Sequence, residues 1–275
     1  MSKGKSIFLK IFLIIGILIF FYPNISDYVN SFTQSRGIVS YEKAVGEFDK
    51  VDIRKILNNA KIYNEKISEE KNSIFDPSIV KGYEENLNPF DDGMMGYLTI
   101  EKLNVNLPIY HGVGEGVIQN SVGHLPGSSL PIGGKSTHTV LSTHSGLSSA
   151  RLFTDLHKLE IGDEFIVSVL GENLYYKVNQ IETVLPDEVD LLKVYKGKDY
   201  ATLFTCTPYG INTHRLLVRG ERIEKPKEIK KKTKNNFYKN IMKFVKIFIV
   251  ILIILIILIS IIKDLVQILR RRKNY

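Results

Sequence analysis

Two apolar runs bracket the chain, and the pattern between them changes twice. Residues 7–22 are apolar apart from Lys10, and residues 247–262 are almost wholly apolar. About 16 residues of helix span roughly 24 Å, and adding Phe244 and Val245 brings the second run to bilayer thickness. Over residues 24–72 the positions Ile53, Ile56, Leu57, Ala60, Tyr63 and Ile67 recur at helical spacing, with Lys, Glu and Asn opposite. That spacing predicts helix, a packing or spacer element between the first apolar run and the rest of the chain. Residues 73–92 are polar and carry Phe75, Asp76 and Pro77, then Asn88, Pro89 and Phe90, and so read as a loop. From Gly93 onward the period shortens to that of strands. Short β-type stretches at 95–100, 105–110, 138–144, 163–170, 174–185, 200–205 and 214–223 alternate with Gly- and Pro-bearing turns. A helical turn is expected within 152–159 and another within 186–195. The series predicts a mainly β domain, a barrel or sandwich.

These changes divide the chain into an N-terminal anchor (1–23), a helical region with a loop (24–92), a β domain (93–224), a basic linker (225–243), a transmembrane helix (244–263) and a basic tail (264–275). Lys3 and Lys5 precede the first run and predict a cytoplasmic N-terminus. Phe20, Phe21, Tyr22 and Pro23 offer no small-residue cleavage site, so the anchor is expected to stay attached. Both flanks of the second run are basic, so the first run decides the orientation: β domain outside, C-terminal tail inside.

The net charge of +8, from 37 basic and 29 acidic residues, gathers beside the apolar runs. That placement points to anionic membrane lipid as a partner and not to nucleic acid. No zinc spacing or phosphate loop is present, and acidic residues do not cluster near the candidate groove, so no cofactor or metal is expected. A single cysteine excludes an internal disulfide.

That cysteine, Cys206, ends a strand-like stretch and opens the polar loop 207–213. In the strand after the loop, Leu216 and Val218 take one face, and Arg215, Leu217 and Arg219 the other. If the two strands form a hairpin, Cys206 and Arg215 face each other at its mouth. A fixed cation favours a thiolate, and a guanidinium donates hydrogen bonds to an oxyanion. A lone cysteine is otherwise a small buried hydrophobe. A cysteine nucleophile needs a proton-transfer partner. Of His111, His124, His138, His144, His157 and His214, spacing favours His144 at a strand end, with His124 and His138 next. The loop at 73–92, with an acid and exposed aromatics, is placed to lie over a groove.

Thr202, Leu203, Phe204, Thr205 and Cys206 match the TLxTC motif of sortases. Residues 207–220, 122–134 and 95–100, and the two terminal apolar runs, resemble the class C, pilin-polymerising branch. The resemblance implies an eight-stranded sortase β-barrel and a Cys–His–Arg site: Cys206 as nucleophile, His144 as catalytic histidine, Arg215 as catalytic arginine, with Thr205 helping to position the oxyanion. Class C members carry arginine after the histidine, where this chain has Ser145. They also carry a lid with an Asp-Pro-aromatic motif. Asp76 and Pro77 fit its first two positions, Ser78 stands at the third, and Phe75 or Phe90 is the substitute aromatic. The implied activity is transpeptidation of an LPXTG-like sorting signal onto a lysine amine of a neighbouring pilin subunit. The alternatives are a wall-anchoring sortase, a membrane-bound assembly or binding module without turnover, and a plain cysteine protease.

Overall fold

The computed structural model describes residues 3–70, 73–226 and 233–273, in two compact units, residues 1–29 with 229–275 and residues 30–228. The expected Lys230–Lys232 cluster lies outside the described residues, and the chain is already helical from Thr233. One helix, α1 (Lys3–Glu47), supplies residues to both units and runs through Pro23, where the sequence pattern places the end of the anchor.

The first unit combines the start of α1 with α4 (Thr233–Lys273). Gly4–Glu47 and Phe248–Arg270 are each long enough, and contain a stretch apolar enough, to cross a membrane. The polar interruption in each run is paired. Lys10 Nζ donates to Asp264 Oδ2 at 2.6 Å and to Ser260 Oγ at 2.8 Å.

In the second unit, α1 buries Ile38, Tyr41 and Val45 at helical spacing. The Tyr41 hydroxyl donates to the Met95 carbonyl and accepts from the Leu170 N–H, both at 2.9 Å. The single helical region expected over 24–72 is broken at Phe48 and Asp49. The Asp49 side chain accepts from Val51 N and so caps α2 (Lys50–Glu69). Ala60, Tyr63 and Ile67 are buried on the predicted face of α2, with Ile53, Ile56 and Leu57 partly buried against the same core. Asn64 is buried among them. Its amide nitrogen donates to the Leu130 carbonyl and its oxygen accepts the Leu130 N–H.

Eight strands close a barrel in the order β1-β2-β3-β4-β7-β8-β6-β5. They are β1 (Met94–Ile100), β2 (Val105–His111), β3 (Val122–His124), β4 (Thr137–Ser142), β5 (Glu164–Val169), β6 (Glu172–Val184), β7 (Asp199–Thr207) and β8 (His214–Ile223). The pairings of β2 with β3 and of β4 with β7 are parallel. Leu98, Ile109, Leu141, Leu203, Val218, Phe165 and Tyr176 fill the interior. The sequence pattern does not show β3 or the short helix α3 (Glu115–Ile118) that precedes it. Three residues are too few to show an alternation, and the flanking glycines read as turn. The strand expected to reach His144 stops at Ser142.

Candidate active site

The site is built where the ends of β4 and β7 meet the start of β8. Parallel pairing sets Ser142 opposite Phe204. The Thr205 hydroxyl donates to the Thr143 carbonyl at 2.7 Å, and the Ser145 hydroxyl donates to the Cys206 carbonyl at 2.6 Å. These bonds fall on either side of His144 and hold its backbone alongside Cys206. Across the next ladder, Cys206 pairs directly with Arg215, which sets the two Cβ atoms about 5 Å apart. Arg215 Nη1 donates to the carbonyls of Asn212 and His214, each at 3.1 Å, which orients the guanidinium. Cys206, His144 and Arg215 are all partly exposed.

Thr205, expected near an oxyanion, sits on the other face of β7. It is buried, and its hydroxyl positions the histidine segment instead. The other five imidazoles are placed elsewhere. His138 is fully buried, with Nδ1 at 2.7 Å from the Lys193 carbonyl and Nε2 at 2.7 Å from Thr202 Oγ1. His124 is fully buried between the Tyr83 hydroxyl and the Ser129 carbonyl. Burial pushes both down to about 4, so they are neutral at pH 7. Both nitrogens of His111 meet carbonyl oxygens, of Gly93 and Asn86. His157 bonds the Thr154 carbonyl, and His214 bonds the Thr213 hydroxyl next to it. His144 lies past the end of β4, and the bonds on either side of it set its backbone alongside Cys206. His144 Nε2 lies 3.2 Å from the Glu115 carboxylate, a neighbour that nothing in the sequence pattern marks.

An apolar floor leads up to Cys206 on the outer face of the barrel. Val140, Leu192 and Leu217 are buried there, bordered by Ile74, Leu125, Val184, Val189, Leu191 and Phe204. Strand alternation puts Phe204 and Leu217 on the same face as Cys206 and Arg215. The loop before the barrel reaches this floor through Ile74. It enters past Gly127, where a Cβ would stand 2.0 Å from the Ser73 carbonyl oxygen. Of the expected lid residues, Phe75 is exposed, with the Lys193 ammonium 5.6 Å from its ring centre. Asp76 caps a one-turn 3₁₀ element, Pro77–Ile79, its carboxylate accepting from the Ser78 N–H and hydroxyl. Phe90 packs against Tyr41 and Phe48 at the α1–α2 junction. Ile74, two residues before Asp76, is an apolar signal that the neighbouring Phe75 obscures in the sequence. On the far side of His144, the exposed Tyr209 ring lies over Gly146, where a Cβ would approach it to 3.2 Å. Among the described residues no three His, Cys, Asp or Glu side chains are grouped to hold a metal.

A sortase-domain family model matches residues 98–223. The crystal structure of sortase C1 from Streptococcus agalactiae is 49% identical, covers 70% of this chain and 100% of its own, and superposes with a TM-score of 0.64. The chain belongs to the sortase family. Sortases are cysteine transpeptidases, and the structural likeness is to their class C branch. The sortase C structure from Clostridium perfringens SM101 agrees, with 39% identity, coverage of 69% and 99%, and a TM-score of 0.59. The curated sortase A of Streptococcus agalactiae serotype III (strain NEM316) is 28% identical over 131 residues, 46% of this chain. The chain spans about half the length of that relative, 52%.

Proposed function

We propose that this sortase is a membrane-anchored cysteine transpeptidase that cleaves an LPXTG-like sorting signal and joins pilin subunits through a lysine isopeptide bond. The observation that carries this reading is the stapling of His144 alongside the Cys206–Arg215 pair by the Thr205 and Ser145 hydroxyls. In the first half-reaction the Cys206 thiolate attacks the threonine carbonyl of the signal. A carbon–sulfur bond forms, Arg215 donates to the oxyanion, and His144 protonates the departing glycine amine. In the second, the acceptor lysine amine attacks the thioester, gives its proton to His144, and the thiolate leaves. The apolar floor beside Cys206 suits the Leu-Pro part of such a signal. In this reading the segment that places Ile74 on that floor acts as a lid, competing with the signal and limiting the access of water.

The placement of the catalytic domain outside the cell, with both termini inside, is part of the same proposal. The Lys10–Asp264 bond supports it. It brings the start of α1 to the end of α4, as two antiparallel spans with both termini on one side require.

Incubating the full-length protein in detergent with a pilin bearing an LPXTG-like signal is expected to give covalent ladders that Cys206→Ala abolishes. Ladders that persist in that variant contradict the proposal. Replacing pilin by a cell-wall precursor amine separates pilus assembly from wall anchoring.

A further inference from the structure

His144 has a carboxylate partner on an element that no motif singled out. Glu115 is the first residue of α3, capped by Gly114, and its Oε2 lies 3.2 Å from His144 Nε2. The two residues are 29 apart in sequence, so the contact depends on how α3 is held. It is held by the residue next to the histidine: the buried Thr143 hydroxyl donates to the Ile118 carbonyl at 2.8 Å, at the other end of the same helix. Thr143 is also the residue that Thr205 ties to β7. One short chain of hydrogen bonds thus sets α3, the histidine segment and the cysteine strand relative to one another. The hydrogen bond to His144, and then the charge on that ring, hold the Glu115 carboxyl below the usual carboxylate range. It is therefore ionised at neutral pH.

We propose that Glu115 is a positioning residue for His144. Resting on the transpeptidase reading above, the inference gives the site a fourth member. The carboxylate accepts the Nε2–H bond, which fixes the ring's rotation and its tautomer. Nδ1 is then the nitrogen that exchanges protons with the leaving and entering amines. The bond also favours the imidazolium produced when the acceptor amine is deprotonated, since a carboxylate stabilises an adjacent cation. An exposed ion pair contributes little to folding, so removing Glu115 is expected to alter turnover and leave stability unchanged.

The test uses full-length protein in detergent, comparing wild type with Glu115→Ala, Glu115→Gln and Glu115→Asp. Three quantities are read: thioester formation at Cys206 with an LPXTG-like peptide, by intact mass; steady-state transfer to a lysine-bearing peptide; and the ¹⁵N signals of His144, identified by their loss in His144→Asn. Glu115→Ala is expected to lower the rate of both half-reactions by about tenfold or more, with KM for the amine little changed. Glu115→Gln, which still accepts Nε2–H but lacks the charge, falls between Ala and wild type, and Glu115→Asp recovers part of the rate. The ¹⁵N signals are expected to show an Nε2-protonated ring in wild type and a mixture of tautomers in Glu115→Ala. A rise in amine KM alone, with acylation intact, overturns the proposal and makes Glu115 a docking charge for the acceptor ammonium. Unchanged rates and unchanged tautomer overturn it as well, leaving a surface ion pair. Absence of a thioester in both the wild type and Ile74→Asp refutes the transpeptidase reading, and the tautomer comparison then still decides whether Glu115 orients His144.

Discussion

At the residue scale, two hydroxyl groups hold the backbone around the three side chains proposed to react. Ser145 stands where class C members carry arginine, and its hydroxyl holds the Cys206 carbonyl. Ser145→Ala is expected to slow thioester formation severalfold while thermal stability changes by about 1 kcal/mol or less, the worth of one hydrogen bond; peptide-dependent intact-mass kinetics and a melting curve check both. The two buried histidines predict a pH effect unrelated to catalysis. His124 and His138 titrate near 4 when folded and near 6.5 when unfolded. The unfolded chain therefore binds more protons, and stability present above about pH 6.5 is lost as pH falls toward 4. At pH 5 the loss is about 2 kcal/mol for each histidine. Urea midpoints at pH 7 and pH 5 measure it, followed by near-ultraviolet circular dichroism of the 14 tyrosines. A double His124→Gln, His138→Gln variant is expected to show a smaller difference between the two pH values.

At the element scale, the sequence shows what has local period and conceals what depends on tertiary register. The amphipathic face of α2 is readable in Ile53, Leu57, Ala60 and Ile67. Asn64 reads with the polar residues opposite, but it is buried on the apolar face. Its buried role comes from pairing with both backbone groups of Leu130, 66 residues away. Asn64→Ala leaves those groups unsatisfied and is expected to cost roughly 3 kcal/mol in urea unfolding. Cys206 and Arg215 are readable as a pair because a hairpin register is local. Glu115 and Ile74 are not, because each reaches the site from a separate element. If Ile74 seats the lid, Ile74→Asp is expected to speed labelling of Cys206 by a thiol reagent severalfold. An unchanged rate means that the loop does not cover the cysteine.

At the scale of the whole molecule, the two terminal helices are legible as apolar runs from composition alone. Their pairing is not, since Lys10 and Asp264 lie 254 residues apart. Cysteines introduced by Ser6→Cys and Asp264→Cys in a Cys206→Ala background are expected to form an intramolecular disulfide under mild oxidation, seen as a mobility shift on non-reducing gels. No cross-link contradicts the paired arrangement. Strand length and turn residues predict a mainly β domain, but closure and strand order depend on the parallel pairings of β3 with β2 and β7 with β4, which no local pattern encodes. The central claim joins all three scales: one sulfur, one imidazole and one guanidinium are held at a barrel rim to form a thioester. Intact mass of the full-length protein after reaction with an LPXTG-like peptide tests it most directly. The account predicts an adduct of the peptide's acyl portion on Cys206, discharged by a lysine-bearing peptide and absent in His144→Ala and Arg215→Ala. An adduct that forms equally well in those two variants, or none in the wild type with Ile74→Asp included, contradicts it.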